Sequence, residues 1–345
     1  TKAVNDPSQL AEQQSIGRST VKETYDQILS DLNNAESMLP DIIDADKIGR
    51  ASKGAAIALK TRVYLHMRDW NNVVTEAKKL EGGRFILETN PATPFVSYKD
   101  NQESIFSIPN DSQDNGSVNG AMSAMMSARE GGRAMCPTSP TLYNSKFWKG
   151  DDKRRNLVLY RASDDYYFCD KYQNPQTREE YAPILRYAEV LLNYAEAKAE
   201  LGTLTQEDIN LSVKRLRDRV GMSNLILDDA NKNPDPYLSD EKTGYPNVTG
   251  ANKGVILEIR RERTIELLQE GHRYYDLIRW KEGKTFTQPL LGLYIPSKGE
   301  YDLDGDGTPD IYLKTKGETP STKAPLIMEI DQDIFLSEGD HGYIS

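Results

Sequence analysis

The sequence predicts a mainly α protein: a tetratricopeptide-like helical-repeat scaffold with an irregular, loop-rich lobe carrying short strands. Apolar residues recur at helical spacing in three blocks, at about 19–81, 183–221 and 253–282. Alanine-lined helices with short, glycine-ended connections suit helices stacked in pairs. Residues 84–182 lose that period and read as a lobe able to carry a ligand site. The whole of 1–345 is read as one unit, with an irregular C-terminal segment at 283–345.

Residues 1–17 are polar and outside any periodic element. Thr20 and Glu23 have the spacing of a capping box, and Val21, Tyr25, Ile28, Leu32, Ala35 and Leu39 form the stripe that follows it, up to Pro40. Ser52 is placed to cap a second helix, rich in Ala55, Ala56 and Ala58 and running to about Arg68. A third helix, Trp70 to Leu80, should end at Gly82 and Gly83. In the lobe, Phe85–Leu87 and Ser104–Ile108 read as short strands, and Asn110–Arg133 as a Gly-, Ser-, Asn- and Met-rich loop. A helical block from Pro183 to Gly221 follows, with Tyr187, Leu191 and Tyr194 on one stripe, a stop at Gly202 and a partner helix over Ile209–Val220. Residues 222–252 read as a Pro/Asn/Gly-rich excursion, and the tail from Thr285 as strand-like pieces between turns.

The segment Lys253–Lys281, KGVILEIRRERTIELLQEGHRYYDLIRWK, organises the rest. It reads as a long charged helix that stops at Gly271 and restarts as a short aromatic one. Ile256, Ile259, Leu267 and Leu268 mark its apolar side, and Arg263 lies on that side with them. A buried arginine needs a carboxylate, because an unpaired buried charge is costly. Glu262, Glu266 and Glu270 are nearby candidates, and acids on other helices are equally suitable; Asp276 and Arg279 are spaced to pair on a helix surface.

The run RRER..IELLQEGHRYYDLIRW resembles the signature of the RagB/SusD family of outer-membrane nutrient-binding lipoproteins of Bacteroidetes. The stretches ILRYAEVLLNYAEAKAELG and RSTVKETYDQILSDLNNAESMLP resemble two further family segments, while the tail lacks the N-P-x-L-x-Q-N-P-G-Y-like ending of many members. The resemblance implies a tetratricopeptide-like fold and a SusC-like TonB-dependent transporter as partner. It also implies attachment to the outer membrane at the cell surface through a lipid-bearing cysteine. That cysteine and a signal peptide are absent from this sequence, which starts at Thr1, so the N-terminal part of the family fold is expected to be missing.

Charge narrows the function classes. The chain has 345 residues, 28% of them charged, and a formal net charge of −10. That balance argues against nucleic-acid binding and against direct adhesion to anionic lipid. Nineteen tyrosines against seven phenylalanines favour wet, polar contact surfaces as well as helix–helix contacts. Cys136 and Cys169 have no metal-ligand spacing and could pair or stay as thiols. No stretch approaches the roughly 20 apolar residues of a membrane span.

Three groups of side chains could carry chemistry. Asp302, Asp304, Asp306 and Asp310, with the backbone carbonyl of Thr308, match the first half of a calcium loop, D-x-D-x-D-G. One structural Ca²⁺ is expected there; the alternative is an acidic hairpin, since Leu313 replaces the usual twelfth-position glutamate. Tyr143, Phe147, Trp148, Tyr166, Tyr167 and Phe168 lie among Lys149, Asp151, Asp152 and Asp164. Such rings can stack on sugar C–H faces while the charged groups hold hydroxyls; the alternative is a packed loop core. His272, with Asp276 four residues on, could be an oriented base or a core histidine, and no nucleophile motif accompanies it.

The reading is therefore a non-catalytic surface protein that binds an oligosaccharide, or another polymer-derived nutrient, and delivers it to the transporter. Expected ligand contacts are Trp148, Tyr143, Phe147, Tyr166, Tyr167 and Asp164. A tetratricopeptide adaptor for protein tails and a carbohydrate-active hydrolase are the alternatives.

Overall fold

The computed structural model describes residues 17–41, 49–96, 101–110, 125–129, 132–133, 137–138, 140–150, 152–161, 167–172, 180–283, 293–295, 297–302, 306–315, 317–330 and 342–344. Thr20 opens helix α1 (Val21–Met38) with a reciprocal cap, its hydroxyl accepting from Glu23 N at 3.2 Å and its own N donating to the Glu23 carboxylate at 2.8 Å. The stripe residues Tyr25, Ile28, Leu32, Ala35 and Leu39 of α1 are only half-buried. α1 packs on α2 (Lys53–Met67), whose buried Lys60 meets Glu36, Asn33 at 3.1 Å and Glu76 at 3.0 Å. Ser52 caps α2 as expected, and α2 passes through Arg68 and Asp69 into α3 (Trp70–Lys78).

Ala55, Ile57 and Ala58 of α2 are buried with Ala77, Tyr187, Val190 and Leu191, so small residues let these helices approach closely. Tyr187, Val190 and Leu191 belong to α7 (Tyr187–Glu200), which packs against α3 and is buried along almost its whole length. Between α3 and α7 lies the lobe: α4 (Thr93–Val96), β1 (Ser104–Asn110), β2 (Pro137–Thr138), α5 (Pro140–Tyr143), α6 (Arg154–Val158), β3 (Leu159–Arg161), β4 (Tyr167–Cys169) and β5 (Glu180–Arg186). β1 pairs antiparallel with β5, and β2, β4 and β3 form a separate antiparallel sheet in that order. The expected strand at Phe85–Leu87 is irregular, although Ile86 N donates to Gln102 O at 3.1 Å. Pro183–Arg186, expected to be helical, are extended, because they pair with β1.

After α7 and Gly202, the expected partner helix is two short ones, α8 (Gln206–Leu211) and α9 (Val213–Asp218). They are broken at Ser212, whose backbone is non-helical and whose hydroxyl donates to Asp208 O at 2.5 Å. The excursion 222–252 also contains helix, α10 (Leu227–Lys232) and α11 (Pro236–Ser239). Then come α12 (Lys253–Glu266) and α13 (Arg273–Arg279), separated by a turn in which Gly271 has φ +82°. α12 packs against α7 and α10. At Gly254 the fit is so close that a Cβ would run into the Ala230 carbonyl.

The acids of α12 do most of the joining. Glu258, Glu262 and Glu266 recur every fourth residue, and all three are buried. Glu262 accepts from Arg154 at 2.8 Å and Arg217 at 2.6 Å. Glu266 receives Arg186 at 2.8 Å and Arg219, and Glu270 receives Arg186 at 2.7 Å and Lys171 at 2.5 Å. These cations come from α6, β5, the end of α9 and the segment after β4, so one helix ties the lobe to the helical scaffold. Arg263 is buried as expected, but none of the three nearby glutamates holds it. Its Nε meets Asp276 of α13 at 2.7 Å and its Nη1 the Asn193 amide oxygen at 2.6 Å, because Glu262, Glu266 and Glu270 are taken by arginines and a lysine from elsewhere. Asp276 also pairs with Arg279, which meets Glu196 of α7.

Contacts divide the chain at Glu282, and Gly283–Ser345 form a second unit. There β7 (Gly299–Tyr301) pairs antiparallel with β8 (Ile311–Thr315), which runs parallel to β9 (Leu326–Ile330). β6 (Leu293–Ile295) pairs with β10 (Gly342–Ile344).

Replacing Arg263 with Met should destabilise the fold by about 3–5 kcal/mol, because Asn193 loses its donor and Asp276 half of its compensation. A urea melt followed by tryptophan fluorescence measures this; a loss under about 1 kcal/mol would contradict burial of the pair. Acid should act on the same network. Burial alone would raise the Glu189 and Glu196 carboxyls, but the charges of Arg62 and Arg279 outweigh it and hold both at about 2. The unfolded chain, with ordinary glutamates near 4.5, then binds more protons than the folded one. The urea midpoint should therefore hold above pH 4.5 and fall as pH drops towards 2, and an unchanged midpoint across that window would exclude these pairs as stabilising.

Candidate functional site

The lobe residues expected to hold a ligand fall into two groups. Tyr143, at the end of α5, is half-buried and stacks on Tyr167 of β4, with ring centres 4.0 Å apart and planes 21° off parallel. Its hydroxyl donates to Asn156 Oδ1 at 3.0 Å, and the Arg155 guanidinium lies 5.0 Å from its ring centre. Trp148 supports this pair from below: only 7% exposed, it packs with Val158, Leu159 and Ile265, and its Nε1 donates to Leu142 O at 2.9 Å. Tyr167 and Phe168 are buried as well. Phe147 does not join them, because it points into the core of Leu238, Tyr245, Leu257 and Leu277 and makes edge contacts with Tyr237 and Tyr245.

The rings of Trp148, Phe147, Tyr167 and Phe168 are thus already covered by protein, which matches the packed-loop alternative; Tyr143 alone of this group keeps a partly open ring. The charged neighbours are engaged too. Asp152 holds Arg154 at 2.9 Å, and Lys149 reaches Glu258 at 3.0 Å. Tyr166, Asp164, Asp151 and Cys136 lie outside the described residues. Cys169 is a buried free thiol, which burial pushes above its ordinary pKa.

In the aspartate loop, Asp302 Oδ2 accepts from Gly307 N at 2.8 Å and Asp306 Oδ1 from Thr308 N at 2.6 Å. Gly307 has φ +84°, the bend expected of glycine there. Both carboxylates thus hold backbone N–H groups, while Asp304 lies outside the described residues. His272 is half-buried, with Nδ1 4.0 Å from Glu189. That carboxylate is already gripped by Arg62 at 2.7 and 2.6 Å, and Asp276 is held by Arg263 and Arg279, so neither orients His272 as a base. Burial lowers the His272 pKa below its ordinary value.

Two recesses on the helical scaffold were not foreseen from the sequence. One, of about 500 Å³, is lined by Tyr25, Arg62, His66, His272 and Tyr275, with the Tyr275 ring 58% exposed. The other, of about 510 Å³, is lined by Arg68, Glu200, Asn247, Arg260, Trp280 and Lys281. Each gathers residues from segments far apart in the chain. The one local signal was the crowding of Arg260, Arg261 and Arg263 on a single helix.

Helix pairs joined through a charged, buried central helix, with a lobe of short strands, define a tetratricopeptide-like scaffold. Family comparison gives its kind. The sequence model of the SusD family matches residues 148–319, and one described as starch-binding associating with outer membrane matches residues 2–65. The chain belongs to the SusD family. It is 27% identical to SusD-like protein P2 of Formosa agariphila, over 83% of this chain and 61% of that protein. A SusD-like carbohydrate binding protein from Bacteroides fragilis superposes with a TM-score of 0.62 at 22% identity, over 79% of this chain and 60% of that one. Surface glycan-binding protein A from Bacteroides thetaiotaomicron, in complex with laminarihexaose, gives 0.58 at 20% identity, over 76% and 62%. This chain thus spans about three fifths of the length of these relatives.

Trp148→Ala should lower stability by about 3–5 kcal/mol, as for other buried aromatic truncations. Tyr143→Ala should cost much less, since that ring is half-buried. Parallel thermal melts measure both, and a Trp148→Ala melt matching the parent would show the indole to be free rather than packed.

Proposed function

We propose that this chain is the scaffold of a surface protein that captures an oligosaccharide and passes it, chemically unchanged, to a SusC-like TonB-dependent transporter at the outer membrane. Membership of the SusD family carries this reading. Relatives described as carbohydrate-binding, one of them in complex with laminarihexaose, support a glycan as ligand. The description of the N-terminal match as associating with the outer membrane supports the location. In this reading a lipid anchor fastens the protein to the outer membrane. Among the described residues no helix is long and apolar enough to cross a membrane, so membrane association in this reading comes from the anchor and the transporter.

Within the lobe, Tyr143 is proposed as the ring that meets a sugar, supported by its half-buried position, with Tyr166 and Asp164 as further proposed contacts. Trp148 and Tyr167 hold that surface in shape. A binding role without chemistry is supported by the state of the candidate base and acids, since the carboxylates beside His272 are locked in arginine pairs. Calorimetry with laminarihexaose, and with a panel of other oligosaccharides, tests the reading. Tyr143→Ala should weaken binding at least about tenfold, the loss of one ring anchor, while the melt stays near that of the parent. Binding that survives the change unaltered would remove Tyr143 from the site, and cleavage products after long incubation would contradict a pure binding role.

The aspartate loop is proposed to hold one structural Ca²⁺ through Asp302, Asp304, Asp306, Asp310 and the Thr308 carbonyl. Its support is the D-x-D-x-D-G spacing and the hydrogen bonds by which Asp302 and Asp306 hold the backbone at Gly307 and Thr308. An ion bound to the folded state alone adds about 2.7 kcal/mol at a hundredfold excess over its dissociation constant. Melts in calcium and in EDTA should separate accordingly; superimposable melts, with no calcium by elemental analysis, would remove the ion.

A further inference from the structure

Among the described residues, the other buried arginines each hold at least two groups, and Arg260 holds one. Arg154 and Arg186 each bond several carboxylate oxygens, and Arg217, Arg263 and Arg279 each bind two side chains. Arg260, 6% exposed, makes one hydrogen bond, from Nη1 to Glu282 at 2.9 Å. Its Nε is buried without a partner. Its Nη2 stops 3.9 Å from Glu200, beyond hydrogen-bonding distance. The guanidinium is nonetheless fixed, with its carbon 4.7 Å from the Trp280 ring centre and 5.5 Å from that of Tyr245. Burial pulls its pKa below the ordinary value despite Glu196, Glu282 and Glu200 nearby.

Arg260 lines the 510 Å³ recess, and the rim of that recess supplies two further cations. Arg68 and Lys281 are exposed, and both hold left-handed backbone, at φ +60° and +59°. Only one other described non-glycine residue, Gln269, does so. Such backbone disfavours a long side chain, so two cations at those positions on one recess suggest a use for them. The acid of the recess is Glu200, whose pKa burial and the neighbouring Glu196 both raise, which weakens it as a counter-charge. Three cations, Arg68, Arg260 and Lys281, therefore line or rim the recess against Glu200 and the Glu282 carboxylate on the other side of Arg260.

We propose that this recess is a second binding site, for the anionic substituent of an acidic saccharide, a carboxylate or a sulfate ester. The substituent bonds Arg260 Nη2 within the field of Arg68 and Lys281, and sugar hydroxyls meet Glu200 and Thr249. A rigid, partly unbonded guanidinium suits this task, because little ordering remains to be done when the anion arrives. The saccharide part of the assignment rests on the function proposed above; the anion part rests on Arg260.

The test is calorimetry on the full chain with three probes of equal length: an oligouronate, a sulfated oligosaccharide and neutral laminarihexaose. At least one anionic probe should bind, and its affinity should fall at high salt. Arg68→Gly with Lys281→Gly removes the rim charges at positions where glycine is the unstrained residue, so the fold should hold or gain stability. This double variant should weaken the anionic probe at least about tenfold. Arg260→Gln should do the same in whatever fraction folds. Equal affinity in parent and double variant would overturn the site, as would binding of laminarihexaose with neither anionic probe. In that last case the glycan-capture reading survives; if no saccharide of either kind binds, both fall.

Discussion

The fold depends on how a helix carrying acids at every fourth position is allowed to be buried. Glu258, Glu262 and Glu266 of α12 could not leave water without compensation, and their own helix offers too little of it. The cations come from β5, α6 and the end of α9, with Lys171 on Glu270 just beyond the helix. None of these charges is satisfied until lobe and helices have docked together. Buried ion pairs of this kind contribute modestly to net stability but penalise every wrong arrangement heavily. The network therefore acts as a register mark: a displaced lobe leaves several full charges unpaired at once.

The same constraint explains the aromatic residues. Once Lys149 and Arg154 reach across to α12, the segment between α5 and α6 is pulled onto the helix, and Trp148 comes down on Ile265. Phe147, its neighbour in sequence, turns instead into the cluster with Tyr245 and Leu277. Two adjacent rings thus serve two different cores. The ring that remains partly open, Tyr143, is the one at a helix end with a polar partner for its hydroxyl. Local composition could mark an aromatic patch here, but not which ring would face water.

Charge saturation also gives Arg260 its meaning. In a protein with few satisfied ion pairs a singly bonded arginine would be unremarkable. Here its neighbours on α12, Arg261 and Arg263, each grip two partners, and Arg260 shares its helix, its burial and its acidic surroundings with them. What differs is that it holds one partner and lines a recess.

The sequence by itself determined the kind of fold and several of its edges. Helical periodicity, the Thr20–Glu23 cap, the Ser52 cap and the glycine end at 202 are local properties, set by backbone geometry within a few residues. The helices expected to run to Gly82 and Gly271 end earlier, at Lys78 and Glu266. It also marked α12 as the centre and Arg263 as buried. Where local preference met a distant partner, only the tertiary structure decided. Pro183–Arg186 became a strand because β1 was there to pair with them. Arg263 chose Asp276 because nearer glutamates were claimed by arginines from distant segments and by Lys171. Trp148 became core, and the recess at Arg260 came into being, from residues as far apart as 68 and 281. Burial and charge compensation are sums over all neighbours in space, and a chain read in order does not contain those neighbours until it folds.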